Sequence, residues 1–367
     1  MTPGRPTWRF IRATRMRIII QRASCLGIGI GTCWRHLRQD ERRLHCTIFR
    51  PNDANTGGDN VSIRIGFGLA NFPFDAPRSY FRWAEYLEEN QVDSMWQSDR
   101  LVSSDGYLES ITALATLAGC TERIKFGMNA IVAPLRDPLI LAKQCATIDY
   151  LSGGRLLPMF GVGYPNAAEW LAMGKSPAHR GSIANEIFEL MTRLWSEESV
   201  DFDGKYFQYT NATIAPRPIQ QPIPLWIGGS SKAAARRTAR LGSGWIGGIS
   251  SPGDVAKSIE MIKAELVLTD RTIDDDHYGA SIAFRIGSPD DDPVRNSPFL
   301  RRAGVGSEID LHPLFCIGDT EHLIGRLREY VAAGASKFVL FPISSGDADT
   351  FEQTQRVIEE VKPVIEN

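Results

Sequence analysis

The most specific chemical signal in the chain is the run Gly228-Gly229-Ser230-Ser231. Paired glycines let backbone approach a ligand closely. The two hydroxyls stand where a helix should begin, and a helix start offers free N–H groups and a dipole that favour an anion. That is the chemistry of a phosphate grip. The same residues would serve equally as a tight turn followed by an N-cap from Ser230 or Ser231, which any helix can use. A second pair, Asp99-Arg100, follows the apolar run that ends at Trp96. An arginine brings a fixed charge and a planar fork, so it binds anions or stabilises developing negative charge rather than shuttling protons. Asp99 could orient Arg100, bond a ligand edge or cap the following turn.

Other chemistries are argued against by spacing. The six cysteines (Cys25, Cys33, Cys46, Cys120, Cys145, Cys316) contain no C-x-x-C pair, and the six histidines contain neither H-E-x-x-H nor H-x-H. Neither a disulfide framework nor a zinc site is expected. The acidic triplets at 274–276 and 290–292 read as solvated loops. A dinucleotide fingerprint fails three times: Gly66-Phe67-Gly68-Leu69-Ala70-Asn71 and Gly161-Val162-Gly163-Tyr164-Pro165-Asn166 both place Asn where the third glycine belongs, and Gly29-Ile30-Gly31 fails as well.

These residues need a frame, and the hydrophobic pattern supplies one. Apolar runs predict strands at 63–67, 92–96, 124–132, 155–160, 224–227, 244–247, 280–286 and 337–341. Between them, buried-face spacing predicts helices at 77–90, 108–120, 138–150, 181–195, 231–241, 252–268 and 320–333, with a last helix at 350–365. A small hairpin is expected at 201–209, turning on Asp203-Gly204. Eight alternating units whose strands are nearly continuous apolar runs predict an α/β fold, a (β/α)8 TIM barrel, with function at the C-terminal ends of the strands.

The whole chain of 367 residues is 43% hydrophobic and 23% charged, an ordinary globular composition, and its formal charge of −2 gives no footprint for nucleic acid. No run approaches the roughly 18 apolar residues of a membrane span. Charge is unevenly placed, however. Residues 1–60 hold eleven Arg, no Lys and four acids, a local +7 that leaves −9 on the rest. Lacking a sustained period, 1–60 is expected to be a disordered or artefactual Arg-rich leader, with the barrel occupying 61–367.

The segments Thr121 to Gly127, Pro138 to Arg155 (PLILAKQCATIDYLSGGR), Phe202 to Phe207, Pro222 to Trp245 (PIPLWIGGSSKAAARRTARLGSGW) and Gly318 to Leu340 carry a resemblance. From residue 61 to about 364 the chain resembles the bacterial-luciferase-like monooxygenase superfamily, flavin- or deazaflavin-dependent oxidoreductases built on this barrel. The resemblance implies a bulge with a non-proline cis peptide in the third strand, backing the isoalloxazine ring, and the matching dipeptide is Asn129-Ala130. Asn129 could equally be a polar side chain satisfying a buried strand. The resemblance further implies that Gly161 and Gly163 border the ring or its ribityl chain and that Gly228, Gly229, Ser230 and Ser231 form the phosphate-contacting loop. Many relatives carry Asp-His where this chain has Asp99-Arg100, which puts His-based acid catalysis there in doubt. His179, beside Arg180-Gly181, is a candidate replacement.

The function so implied is oxygenation of a small organic substrate with reduced FMN, in a mouth lined by Phe67, Phe72, Trp96, Tyr164 and Trp245 that excludes water. The alternative is hydride transfer with a deazaflavin (coenzyme F-420), and a non-catalytic flavin-binding paralogue or a sugar-phosphate barrel enzyme are further readings. A flavin reductase partner and a homodimer stay open. Neither nucleic acid nor membrane is expected as a partner, and the expected location is cytoplasmic.

Overall fold

The computed structural model describes residues 61–297, 300–301 and 314–366. The expected leader, 1–60, lies outside them. The barrel wall consists of β1 (Arg64–Leu69), β2 (Ser94–Gln97), β3 (Lys125–Val132), β4 (Leu156–Gly161), β7 (Trp226–Ile227), β8 (Gly244–Ile249), β9 (Tyr278–Ile286) and β11 (Lys337–Pro342). Neighbours pair in parallel in that order, and β11 returns to β1 while β8 joins β9, so eight strands close the ring. The strands β5 (Val200–Asp203) and β6 (Gln208–Ala212) form the separate antiparallel hairpin.

Around the ring lie α1 (Pro77–Glu89), α2 (Ser110–Cys120), α3 (Pro138–Ser152), α4 (Ala168–Ala172), α5 (Arg180–Ser196), α6 (Lys232–Leu241), α7 (Pro252–Leu266), α8 (Asp292–Arg295), α9 (Thr320–Ala332), α10 (Gly346–Arg356) and α11 (Lys362–Ile365). Their boundaries follow local chemistry. For α3, the Asp137 carboxylate accepts from Ile140 N–H at 2.9 Å, Pro138 takes the first turn, and Gly153 ends the helix at φ 71°.

Side chains alternate across each strand, which makes two cores. Ile65, Phe67, Met95, Phe126 and Phe338 face outward onto the helices. Trp96, Met159, Trp226, Ile246, Val339 and Phe341 fill the barrel. Bulk inside is matched by glycine: a Cβ on Gly127 would lie 2.7 Å from the Trp96 ring, and one on Gly68 would lie 2.4 Å from the Phe341 ring. The glycines of β1 and β3 are therefore packing residues.

Four features differ from the sequence expectation, the short helix α4 being one of them. A further strand, β10 (Phe315–Gly318), extends the sheet from the end of β9. It pairs with β9 alone, so the eight-stranded ring closes without it. The triplet 290–292 is not wholly solvated: Asp291 accepts from Arg285 Nε at 2.7 Å, and α8 begins inside the triplet. The last helix begins at Gly346 rather than 350 and passes through a π-helical turn at Val357–Val361, just ahead of Pro363. Among the described residues, no helix is long and apolar enough to cross a membrane.

Candidate active site at the C-terminal end of the barrel

Beyond the end of β2, Asp99 is not turned toward Arg100. Its carboxylate takes a two-pronged contact from Arg136, with both N···O distances 2.8 Å, and also accepts from Ser110 Oγ at 3.0 Å and Val132 N–H at 3.3 Å. Asp99 thus ties the β2 end to the start of α2 and the end of β3. Arg136 in turn reaches Glu109 at 2.9 Å. Burial works to lower the Arg136 pKa, but the two carboxylates outweigh it and raise it. Burial likewise acts to raise Glu109, and the Thr112 N–H and Arg136 reverse it to a net lowering. Sequence reasoning missed Arg136. The available cue was a lone arginine just past a strand end, one residue before the Asp137 cap.

Arg100 donates through Nη1 to Glu169 Oε1 on α4 at 3.2 Å. Its side chain remains 35% exposed, whereas Glu169 is buried and its Oε2 has no partner among the described residues. The pair spans from the loop after β2 to the segment after β4. Glu169 was also missed, because five-residue α4 has too short a period to announce itself.

The β3 bulge lies between Met128 and Ile131, and the Asn129–Ala130 peptide bond is cis, as the resemblance implies. Asn129 Nδ2 donates to Ser281 Oγ at 2.8 Å, so the amide has a cross-barrel partner. Next to the bulge, a Cβ on Gly161 would meet nothing nearer than the Ala130 Cβ at 3.8 Å, leaving a small-residue floor between β3 and β4. Gly163 has φ 73°, and a Cβ there would lie 2.7 Å from Val132 Cγ1; its carbonyl accepts from Arg180 Nε at 3.2 Å.

After β7, Gly228 N–H donates to the Phe160 carbonyl at 2.9 Å, and a Cβ on Gly228 would lie 2.7 Å from Met159 Cε. Gly229 has φ 108° and accepts from Trp245 Nε1 at 2.9 Å. Ser231 is the N-cap of α6, its Oγ accepting from Ala234 N–H at 3.2 Å, while Ser230 is exposed. The structure therefore gives Ser231 the capping role that the sequence allowed. His179 is exposed, at φ 59°, and its ring stands 6.4 Å from that of Tyr206 in the β5–β6 turn. It is the N-cap residue of α5 but makes no side-chain cap.

The expected aromatic mouth needs correction. Phe67, Trp96 and Trp245 are fully buried, Tyr164 is 80% exposed and Phe72 is half-buried. Strand parity is the reason: Phe67 points outward to Trp83, with ring centroids 6.2 Å apart, and Trp96 lies deep in the barrel. Conversely, Arg285 at the β9 end was overlooked. It pairs with Asp291 at 2.7 Å and Asp349 at 2.9 Å, and these carboxylates raise its pKa against the lowering effect of burial. Among the described residues the one cluster with metal-ligand character is Asp274, Asp276 and His277, at the opposite end of β9 from the rim.

Comparison with known proteins bears on the fold and the family. The chain is 31% identical over 192 residues to the F420-dependent glucose-6-phosphate dehydrogenase of Kineococcus radiotolerans, covering 50% of this chain and 56% of that protein. It spans about half the length of the curated relatives it matches. The barrel superposes on an F420-dependent secondary alcohol dehydrogenase (TM-score 0.71, 20% identity, 83% of this chain and 99% of that one). It also superposes on the oxygenating constituent of 3,6-diketocamphane monooxygenase of Pseudomonas putida in complex with FMN (TM-score 0.67, 18% identity, 83% and 99%). A family model described as luciferase-like monooxygenase matches residues 46–304, starting 15 residues before Val61. With the closed barrel and the β3 bulge in place, that match means the chain belongs to the luciferase-like monooxygenase family.

Proposed function

We propose that this protein is an oxidoreductase that seats a flavin-type ring in the barrel mouth and acts on a small organic substrate. The observation that carries the reading is the open floor formed by Ala130 and Gly161 above a sealed barrel interior. A planar ring fits such a floor, where any larger side chain would fill it. Ala130 and the Gly161 backbone would support the ring, and Gly163, held in a left-handed conformation, would let the chain pass close to its side chain. Ser230 and the first N–H groups of α6 would hold the phosphate. Bound reduced FMN would supply oxygen activation, and a bound deazaflavin would supply hydride.

The chain's own residues have separable tasks. The Asp99–Arg136 pair fixes the β2 loop. Arg100, anchored to Glu169 by one nitrogen, keeps the rest of its fork for a carboxylate or an oxyanion of the substrate. His179 stands beside the hairpin turn, and nothing in its surroundings supports a proton-transfer role over a surface one.

The FMN monooxygenase reading is supported by the FMN-bound neighbour, in which case a flavin reductase would supply reduced cofactor. The deazaflavin dehydrogenase reading has its own support, because the named curated relatives, at 28–31% identity, are F420-dependent. Anaerobic titration with FMN, reduced FMN and deazaflavin, followed by fluorescence, separates them. The expected result is saturable binding of one class and turnover only with it. Binding of none of the three would overturn the proposal.

A further inference from the structure

Outside the mouth, between the first turns of α5 and the middle of α6, lies a cleft of about 220 Å³ lined by Gly181, Ser182, Asn185, Arg236, Arg237 and Arg240. Positions 233, 236, 237 and 240 form an i, i+3, i+4, i+7 stripe, which a helix facing a neighbour ordinarily fills with apolar side chains. Here three of the four are arginine.

Arg237 is buried, and its partners are neutral: Nε donates to Asn185 Oδ1 at 2.7 Å and Nη2 to the Gly181 carbonyl at 3.1 Å. Among the described residues no carboxylate comes within ion-pair distance, and burial lowers its pKa. A buried charge without a counter-charge is costly. Gly181 makes the contact possible, since a Cβ there would stand 3.1 Å from Arg237 Nη2. Arg236 meets Glu265 at 3.4 Å, and Arg240 is exposed with no carboxylate in ion-pair distance among the described residues. The α5 N-terminus adds its positive dipole end. Glu186 on the same helix is already committed, accepting N–H bonds from Lys205, Tyr206 and Phe207.

We propose that this cleft binds the phosphoryl group of a small-molecule ligand, at a site separate from the flavin-type site and not dependent on it. A phosphoryl group offers nearly two negative charges and three acceptor oxygens to the Arg240 guanidinium and to the N–H groups that Arg236 and Arg237 leave unspent, where a carboxylate offers one charge and two oxygens.

The test uses the full chain at constant ionic strength, with inorganic phosphate and acetate as probes followed by calorimetry. Phosphate should bind saturably and acetate at least about tenfold more weakly. Arg236→Gln with Arg240→Gln, both on exposed positions, should weaken phosphate binding at least about tenfold with an unchanged circular dichroism spectrum. Ser230→Ala with Ser231→Ala should leave it in place. Absent or non-saturable binding, equal affinity for acetate, full affinity in the arginine variant, or loss in the serine variant would each overturn the assignment, the last by placing phosphate on the α6 start instead.

Discussion

At the N-terminal ends of the barrel strands, Asp93 sits among Lys337, Lys125 and Arg64, the first residues of β11, β3 and β1. Nearby, Arg155 donates to the carbonyls of Ala118, Thr121, Ile124 and Ser152 and lies over the Phe126 ring. At the C-terminal ends, Arg100 spends one nitrogen on Glu169, Ser230 is exposed, and Gly163 and Gly229 hold positive φ. One rim uses its polar groups on itself; the other leaves several of them available. The contrast separates residues that hold the barrel shut from residues that can meet a ligand. It is not absolute, since Asp99–Arg136 is a closed pair on the open rim. Such a pair stiffens the loop from which Arg100 projects.

The sharpest way to break the comparison is at Asp93. Asp93→Asn leaves Lys337 buried without its counter-ion, and removing one partner of a buried pair costs about 3–5 kcal/mol. Urea denaturation should register that loss, while cofactor affinity of the folded protein stays unchanged. A change in affinity instead would mean that the two rims are coupled. The same rim governs acid sensitivity. Burial acts to raise the pKa of Asp93, but Lys337 and Lys125 bring it below the ordinary value; for Glu88, N–H donors of residues 122–124 do the same against burial. Carboxylates lowered in the folded state contribute stability fully above their unfolded value, about 4, and lose it as pH falls through the folded value. Stability should therefore fall on acidification below about pH 4, with a shallower slope in Asp93→Asn and Glu88→Gln.

The open rim should respond in binding rather than folding. Replacing both Ser230 and Ser231 with Ala should weaken FMN by about 1–3 kcal/mol and riboflavin hardly at all. Because Ser231 caps α6, Ser231→Ala alone should also cost about 1 kcal/mol of stability, which Ser230→Ala should not. Equal losses for FMN and riboflavin would show that only the cap had been removed.

A smaller effect is expected at Arg100. Arg100→Lys keeps the charge but loses the fork, so bidentate recognition predicts that Lys is nearly as damaging as Ala, with the change in KM for an acidic substrate and not in cofactor affinity. If the contact to Glu169 is all that matters, Arg100→Ala costs stability by leaving a buried carboxylate without its counter-ion, and both variants keep wild-type kinetics. The smallest expected effect belongs to the first 60 residues. A chain beginning at Val61 should fold and bind cofactor as the full chain does. Comparing it with one beginning at Cys46, where the family match starts, locates any contribution within 46–60.

Much of this molecule is legible in its residues. All eight wall strands stand where the apolar runs predict them, because both faces of a barrel strand are buried and the run itself is the signal. The Ser231 and Asp137 caps join residues three positions apart, and the hairpin joins residues no more than twelve apart, so all three are local. What the sequence could not decide is partnership across distance. Asp99 finds Arg136 at a separation of 37 residues, Arg100 finds Glu169 at 69, and Asn129 finds Ser281 at 152. Nor could composition tell that Phe67 and Trp96 face opposite sides of the wall. Local order follows from propensity and period, which one stretch of chain carries by itself; ion pairs and facing depend on which strands the closing barrel brings together, so only the tertiary structure fixes them.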